Sequence, residues 1–275
     1  VNPFIKYSYD QRNSLGTIYD TQDTKIFIKS SEKDPLSFVE CVFPFITSVV
    51  ELTVDKNSEI PFYDSVWKYR IYGQVHGIDQ ILLRSLETAL SNIAFKCPEK
   101  FSEFVTQNLR SSQYETFQYL LIRAYTANGE RFANEAIEYL CERPERLRTG
   151  YDISSGNTYA ARYWATHQLL KSITPYCSNE YLVKLENLIL TYYPKDEKGY
   201  QHRLCRGYAQ LVLLGAIDDL HLSKEANRRL QEWRRKFRDY ELVEKPEKIE
   251  HSSATEDYCI DSPISTKATD KMTDK

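Results

Sequence analysis

A chain of 275 residues is longer than one hydrophobic core usually organises, so either two domains or one elongated array is expected. Its 36 lysines and arginines nearly balance 39 aspartates and glutamates, which removes whole-chain charge as a reason to expect nucleic acid or a membrane surface as partner. Six cysteines (Cys41, Cys97, Cys141, Cys177, Cys205, Cys259) contain no C-x-x-C pair, and several have apolar neighbours; this predicts buried thiols in a reducing, cytoplasmic compartment, with neither a disulfide framework nor a zinc site. No apolar run approaches the roughly 18–20 residues that span a bilayer, and no charged-then-apolar leader opens the chain, so no membrane partner is expected. The chain opens on Val1 and stops within polar SPISTKATDKMTDK, which reads as a piece of a longer polypeptide.

Residues 1–60 form the least readable part. KIFIK (Lys25 to Lys29) alternates like a short strand, while PLSFVECVFPFITSVVELTV (Pro35 to Val54) has the length of a helix but carries Pro44, which should break or kink it. The segment is expected to be mostly helical. The pattern sharpens in residues 61–241. Ile78, Leu82, Leu86, Ala89 and Ile93 recur at spacings of three and four, the stripe of an amphipathic helix, with Gln80, Arg84, Glu87 and Ser91 largely outside it. Pro98 then suits the first position of a new helix, because it needs no N–H there and pushes Cys97 out of helical geometry; Glu99 complements the helix dipole.

Next come Phe117, Leu120, Leu121 and Ala124 on one helix, the turn NGE, and Phe132, Ala136, Ile137 and Leu140 on its partner, which stops at Pro144. KCPEKF and ERPERL thus repeat one word, with prolines 46 positions apart and two helices per period. Periods of roughly 40–47 residues mark HEAT and armadillo-like arrays, and the word reads as a helix restart with no chemistry of its own. After the loop RTGYDISSGN, Ala160, Trp164, His167 and Lys171 share a side of a further helix. Ser178 can then cap a helix carrying Leu182, Leu185, Ile189 and Tyr192. RGYAQLVLLGAI (Arg206 to Ile217) is apolar on nearly all sides, so it should be the most buried helix, and its Gln210 needs internal partners. The last helix should start after the cap Ser223 and run to about Tyr240. Its buried stripe is Leu222, Ala226, Leu230, Trp233 and Phe237, opposite a basic face of Lys224, Arg228, Gln231, Arg235 and Arg238. Residues 242–275 have too few large apolar side chains to offset ordering entropy and are expected to be a mobile polar linker or tail.

Chemistry-bearing words are missing. No P-loop occurs, and the chain has nine glycines in all; no H-E-x-x-H, no G-x-S-x-G and no metal-spaced Cys/His set is present, so no catalytic residue, metal ligand or cofactor is assigned. SSEK (Ser30 to Lys33) matches S-x-x-K by count, without the companion motifs. His167 beside Trp164 fits a general base in principle, but a histidine on a largely apolar face is more often satisfied by one hydrogen bond. The 21 tyrosines suit either an aromatic recognition surface or packing between helical layers, the latter for most of them. The face of Lys224, Arg228, Arg235 and Arg238 is the one candidate binding surface; an ordinary solvated outer face accounts for it equally well.

Four stretches together carry a family likeness: PFYDSVWKYRIYG (Pro61 to Gly73), ITPYCSNEYLVKLENLILTYYP (Ile173 to Pro194), GYAQLVLLGAI (Gly207 to Ile217) and RRLQEWRRKF (Arg228 to Phe237). Over about residues 61–237 the chain resembles the helical C-terminal region of large bacterial STAND-type NTPases, the group that includes the Avs antiviral proteins. In that family a nucleotide-binding core lies between an N-terminal effector and a C-terminal repeat array that recognises a phage protein. The resemblance therefore implies a sensor or scaffold region whose partners are a phage protein and neighbouring domains of the same parent chain. It carries no catalytic residue onto this sequence, which has neither the P-loop nor an effector motif.

The expectation is thus an all-α chain, an α-solenoid of antiparallel helix pairs of the HEAT, armadillo or TPR type, serving as a non-catalytic protein-binding module. Its concave surface would present Tyr and Arg anchors. The alternative is a nucleic-acid-binding helical repeat using the basic face of the helix at 224–240. An enzyme of unrecognised type ranks last.

Overall fold

The computed structural model describes residues 21–57, 60–68, 70, 77–151, 159–198 and 204–238. Expectations for the first twenty residues and for the tail 242–275 lie outside them; the last helix, expected to run to about Tyr240, ends at Lys236 with Phe237 as its C-cap. The described residues form ten α-helices and short 3-10 turns, with two isolated β-bridges and no strand, so the chain is all-α.

The helices are α1 (Thr21–Lys33), α2 (Pro35–Thr53), α3 (Ile78–Lys96), α4 (Pro98–Asn108), α5 (Glu115–Ala127), α6 (Gly129–Glu142), α7 (Trp164–Ile173), α8 (Asn179–Thr191), α9 (Tyr208–Leu214) and α10 (Lys224–Lys236). KIFIK belongs to α1, and its strand-like alternation is overridden because the helix seats Phe27 against the core while Ile26 stays exposed. Pro44 neither ends nor breaks α2, contrary to the sequence expectation. Pro44 and Glu40, whose carbonyl lacks the usual i+4 donor, both lie on the exposed face. The opposite face buries Phe38, Val39, Phe43, Ile46, Val49 and Val50, and that burial outweighs one missing hydrogen bond.

By length and composition α2 is apolar enough to cross a membrane, which corrects the expectation that no stretch is; about a third of it is buried within the chain. The helix passes unnoticed in the sequence when Pro44 is taken as its end.

Helix α3 is central. It packs against α1, α2, α4 and α5, so burial extends beyond the expected stripe to Ile81, Leu83, Ser85, Leu90 and Ala94. Beyond it the contacts run between alternate helices: α3 on α5, α5 on α7 and α7 on α9, with α6 on α8 and α8 on α10 beside them. Tyrosines fill the spaces between helices. Tyr119, Tyr125, Tyr139 and Tyr163 are among the largest fully buried side chains, and Tyr125 lies edge-on to Phe101 and Tyr139.

The repeated word has two outcomes. Pro98 opens the eleven-residue α4, with Cys97 at its N-cap, as expected. Pro144 opens one 3-10 turn, Pro144–Leu147, and the chain does not continue as an α-helix through Tyr151. The basic residue of the word decides this. Lys100 is exposed, whereas Arg146 is 1% exposed and donates from Nη1 to the Tyr139 carbonyl at 2.5 Å and the Glu142 carboxylate at 2.9 Å. Its Nη2 reaches the Arg110 carbonyl at 3.0 Å, and the guanidinium lies 3.7 Å from the Tyr139 ring centroid. Those bonds pin the chain where a helix would have to leave.

At the C-terminal end α9 is only seven residues long but buried throughout. Gly207 precedes it at φ +95, where a side chain would be strained and its Cβ would meet the Trp233 ring at 2.5 Å. Glu197, fully buried, accepts the Gly207 and Ala209 N–H groups, both at 2.7 Å, and so closes the helix start. Gln210 finds the partners its burial demands: Nε2 donates to the Leu190 carbonyl at 2.8 Å, and Oε1 accepts from Trp233 Nε1 at 2.9 Å. Ser223 caps α10 by accepting the Ala226 N–H at 3.2 Å. Ser178 stands at the α8 N-cap without a side-chain bond, and its own N–H donates to Asn134 Oδ1. The thiols depart from expectation: of the five described cysteines Cys41 and Cys205 are exposed, and Cys97, Cys141 and Cys177 are half-buried against the edge of the core.

Candidate functional site

Of the residues singled out by sequence, Lys224, Arg228 and Arg235 are where helical spacing places them, and Arg238 lies two residues past the end of α10. Lys224, Arg228, Arg235 and Arg238 are all exposed, opposite the buried Ala226, Leu230 and Trp233. The face is not uniformly basic. Glu225 and Glu232 lie on the same helix, Arg229 pairs with Glu232 at 3.7 Å, and Arg234 pairs with Asp219 at 3.2 Å. His167 is half-buried and has a partner, in keeping with a satisfied rim residue.

A second site, which the sequence does not announce, lies where four distant segments converge. It is a cavity of about 410 Å³. Asp55, Tyr63, Lys68 and Arg70 reach it from the connection between α2 and α3, and Glu115 from the start of α5; Arg148, Gly150 and Tyr151 come from the turn after α6, and Arg162 from the 3-10 turn Tyr159–Tyr163.

Arg70 and Glu115 form its rigid side. Both side chains are almost fully buried, and the guanidinium meets the carboxylate through both Nη atoms, with Nη1 to Oε2 at 2.7 Å. Nε and Nη2 also donate to the Gly150 carbonyl at 3.2 and 2.8 Å. Glycine at 150 is required on the other side, where a Cβ would lie 2.0 Å from the Ala161 carbonyl oxygen. Burial alone would lower the Arg70 pKa, but attraction to and hydrogen bonding with Glu115, with smaller contributions from Tyr119 and Asp64, together hold it above the usual value. Asp64 anchors the same connection by accepting the Val66 and Trp67 N–H groups at 2.9 and 2.6 Å and the Thr116 hydroxyl at 2.5 Å.

Behind this pair a polar chain runs into the core. The Arg70 guanidinium stacks 4.2 Å from the Tyr119 ring centroid, and the Tyr119 hydroxyl donates to Glu87 at 2.9 Å and lies 3.3 Å from the Tyr151 hydroxyl. Arg123 donates to Glu87 at 2.8 Å and stacks on Trp164. Burial, reinforced by Glu87, pushes the Tyr119 phenol well above its ordinary pKa, which keeps it a neutral donor. On the open side of the cavity Arg148 and Arg162 share one oxygen of Asp196, at 3.0 and 3.4 Å.

None of these residues was assigned a role from sequence. The one local signal is the arginine-dense ERPERLRTGY, and its partners lie scores of residues away, where no periodicity connects them. Among the described residues no three His, Cys, Asp or Glu side chains cluster as metal ligands. No protein-family model matches the chain, and neither a curated protein nor a solved structure is similar enough to count as a match.

Proposed function

We propose that the chain is a non-catalytic, protein-binding helical-repeat module, an α-solenoid serving as the sensor or scaffold region of a bacterial antiviral STAND NTPase that recognises a phage protein. The observation that carries the reading is the packing order. Contacts pass from α3 to α5 to α7 to α9, with α6, α8 and α10 alongside and consecutive helices such as α6 and α7 or α9 and α10 also packed, an order compatible with stacked hairpins. Long faces built this way present side chains to a macromolecule more readily than they enclose a small substrate. The family resemblance over residues 61–237 supplies the phage-protein partner.

The purified chain, immobilised and offered a panel of purified phage structural and packaging proteins, is expected to bind one of them saturably at sub-micromolar Kd. No binding across a broad panel, with tight binding to nucleic acid instead, would sink this reading. The basic side of α10 favours that second reading, in which Lys224, Arg228, Arg235 and Arg238 contact phosphates. Acidic neighbours on and beside the helix weaken its field, so wild type is expected to hold duplex or single strands at about 10⁻⁵ M or poorer at physiological salt.

A further inference from the structure

We propose that the corner between the end of α6 and the 3-10 turn Pro144–Leu147 holds a buried monovalent anion, a halide such as chloride, among Tyr139, Arg143 and Arg146. The proposal does not depend on the protein-binding reading. Its first support is a set of unpartnered donors. The Tyr139 hydroxyl, Arg143 Nη1 and Arg146 Nε are all buried, and none of them meets a hydrogen-bond partner. Tyr139 is fully buried and Arg146 is 1% exposed, so bulk water does not serve these atoms. Native proteins leave few buried polar groups unpaired, and three such donors between Tyr139 and Arg146 call for a common acceptor.

The second support is that the three side chains belong to one place. The Arg146 guanidinium lies over the Tyr139 ring, 3.7 Å from its centroid. One helical turn beyond Tyr139, Arg143 is the C-cap residue of α6. Burial raises the Tyr139 phenol above its ordinary pKa, while Arg146, Arg143 and Arg110 act against that rise and Glu142 adds to it. Both guanidinium groups therefore bear on the phenol.

The third support is charge. Arg143 joins no ion pair among the described residues, and the acid beside it is engaged elsewhere: Glu142 accepts Arg110 Nη2 at 2.6 Å and Arg146 Nη1 at 2.9 Å. Arg146 Nη1 also serves the Tyr139 carbonyl and Nη2 the Arg110 carbonyl, which leaves Nε for a ligand. Guanidinium nitrogens donate and do not accept. A water molecule brings hydrogens of its own among these donors and gives Arg143 no counter-charge. A halide has no hydrogen, accepts from all three, and supplies the charge where an unpaired buried cation is costly. The three atoms are closed off from solvent, which favours a single atom over a larger oxyanion.

Bromide and chloride are the probes. In crystals of the full chain soaked in bromide, the anomalous difference map is expected to show a peak in contact with Arg143 Nη1 and Arg146 Nε. In solution, the Tm of wild type should rise saturably as chloride replaces gluconate at constant ionic strength. The chloride affinity drawn from that curve should fall about tenfold in Arg143→Leu and in Tyr139→Phe, as for loss of a hydrogen bond to a charged group. Arg131→Leu, an exposed position on the same helix, should respond as wild type does. An equal chloride response in wild type and Arg143→Leu marks a general salt effect and overturns the proposal, as does a water molecule where the bromide peak is expected. If Arg143→Leu fails to fold by circular dichroism, Tyr139→Phe and the wild-type bromide map decide.

Discussion

Arg70 and Glu115 illustrate how much a single buried pair constrains this chain. Removing one partner leaves the other charged and almost fully buried, so Glu115→Ala is expected to cost about 3–5 kcal/mol in urea unfolding. Replacing both with apolar residues of similar volume, Arg70→Met with Glu115→Leu, should recover most of that loss. A double variant as unstable as the single one would show that the pair does more than satisfy itself.

The Arg110–Glu142–Arg146 cluster behaves differently, because it is partly exposed. Burial works against the Glu142 charge, but hydrogen bonds from Arg146 and Arg110 and their attraction outweigh it and lower the pKa below the usual value. A depressed folded pKa means the stabilisation is present above the unfolded pKa of about 4.5 and is lost as pH falls through the lower folded value. Glu142→Gln should therefore cost about 0.5–1 kcal/mol at pH 7, the range for solvent-screened pairs. The difference between variant and wild type should shrink towards zero below about pH 4, measured by denaturant midpoints across pH.

At the scale of elements, α2 carries an uncorrected local fault. Pro44 removes one N–H from the helix interior and is held there by the apolar face seated on α3. Pro44→Ala restores that donor on an exposed surface, and should raise stability by up to about 3 kcal/mol, read as a Tm increase of several degrees. A lower Tm would mean that a Pro-dependent bend is needed for packing. Gly207→Ala should act in the other direction, since the left-handed backbone and the Trp233 ring both oppose a Cβ. A loss of about 2 kcal/mol or more is expected, measured in urea, with the red-edge Trp fluorescence altered as Trp233 shifts. The start of α9 and the indole of α10 form one unit, tied through Gln210.

Across the whole molecule, the basic side of α10 and the cavity near α5 are separate surfaces, and one variant tests the first. R228E/R235E/R238E should leave the far-UV circular dichroism helix-dominated and the unfolding midpoint within about 0.5 kcal/mol of wild type, because all three side chains are exposed. It should also leave phage-protein capture intact. Tight nucleic-acid binding by wild type, abolished in this variant with steep salt dependence, would move the function to the second reading.

The sequence by itself determined the helices whose apolar residues recur at three and four: α3, α5, α6 and α10, the Pro98 restart, the Ser223 cap and the need of Gln210 for partners. In each case the signal is local, a spacing or a side chain next to the N–H it caps, and so is readable within one turn or two. Only the tertiary structure decided that α2 runs through Pro44, that KIFIK is helical, and that the second copy of the repeated word stops at a single turn. It also brought Lys68, Arg70, Glu115, Arg148 and Arg162 to one cavity. The physical reason recurs: burial against α3, the bond from Arg146 to the Arg110 carbonyl, and the Arg70–Glu115 pair join residues far apart in the chain. Their free energy exceeds any local propensity, yet it leaves no trace in the order of neighbouring residues.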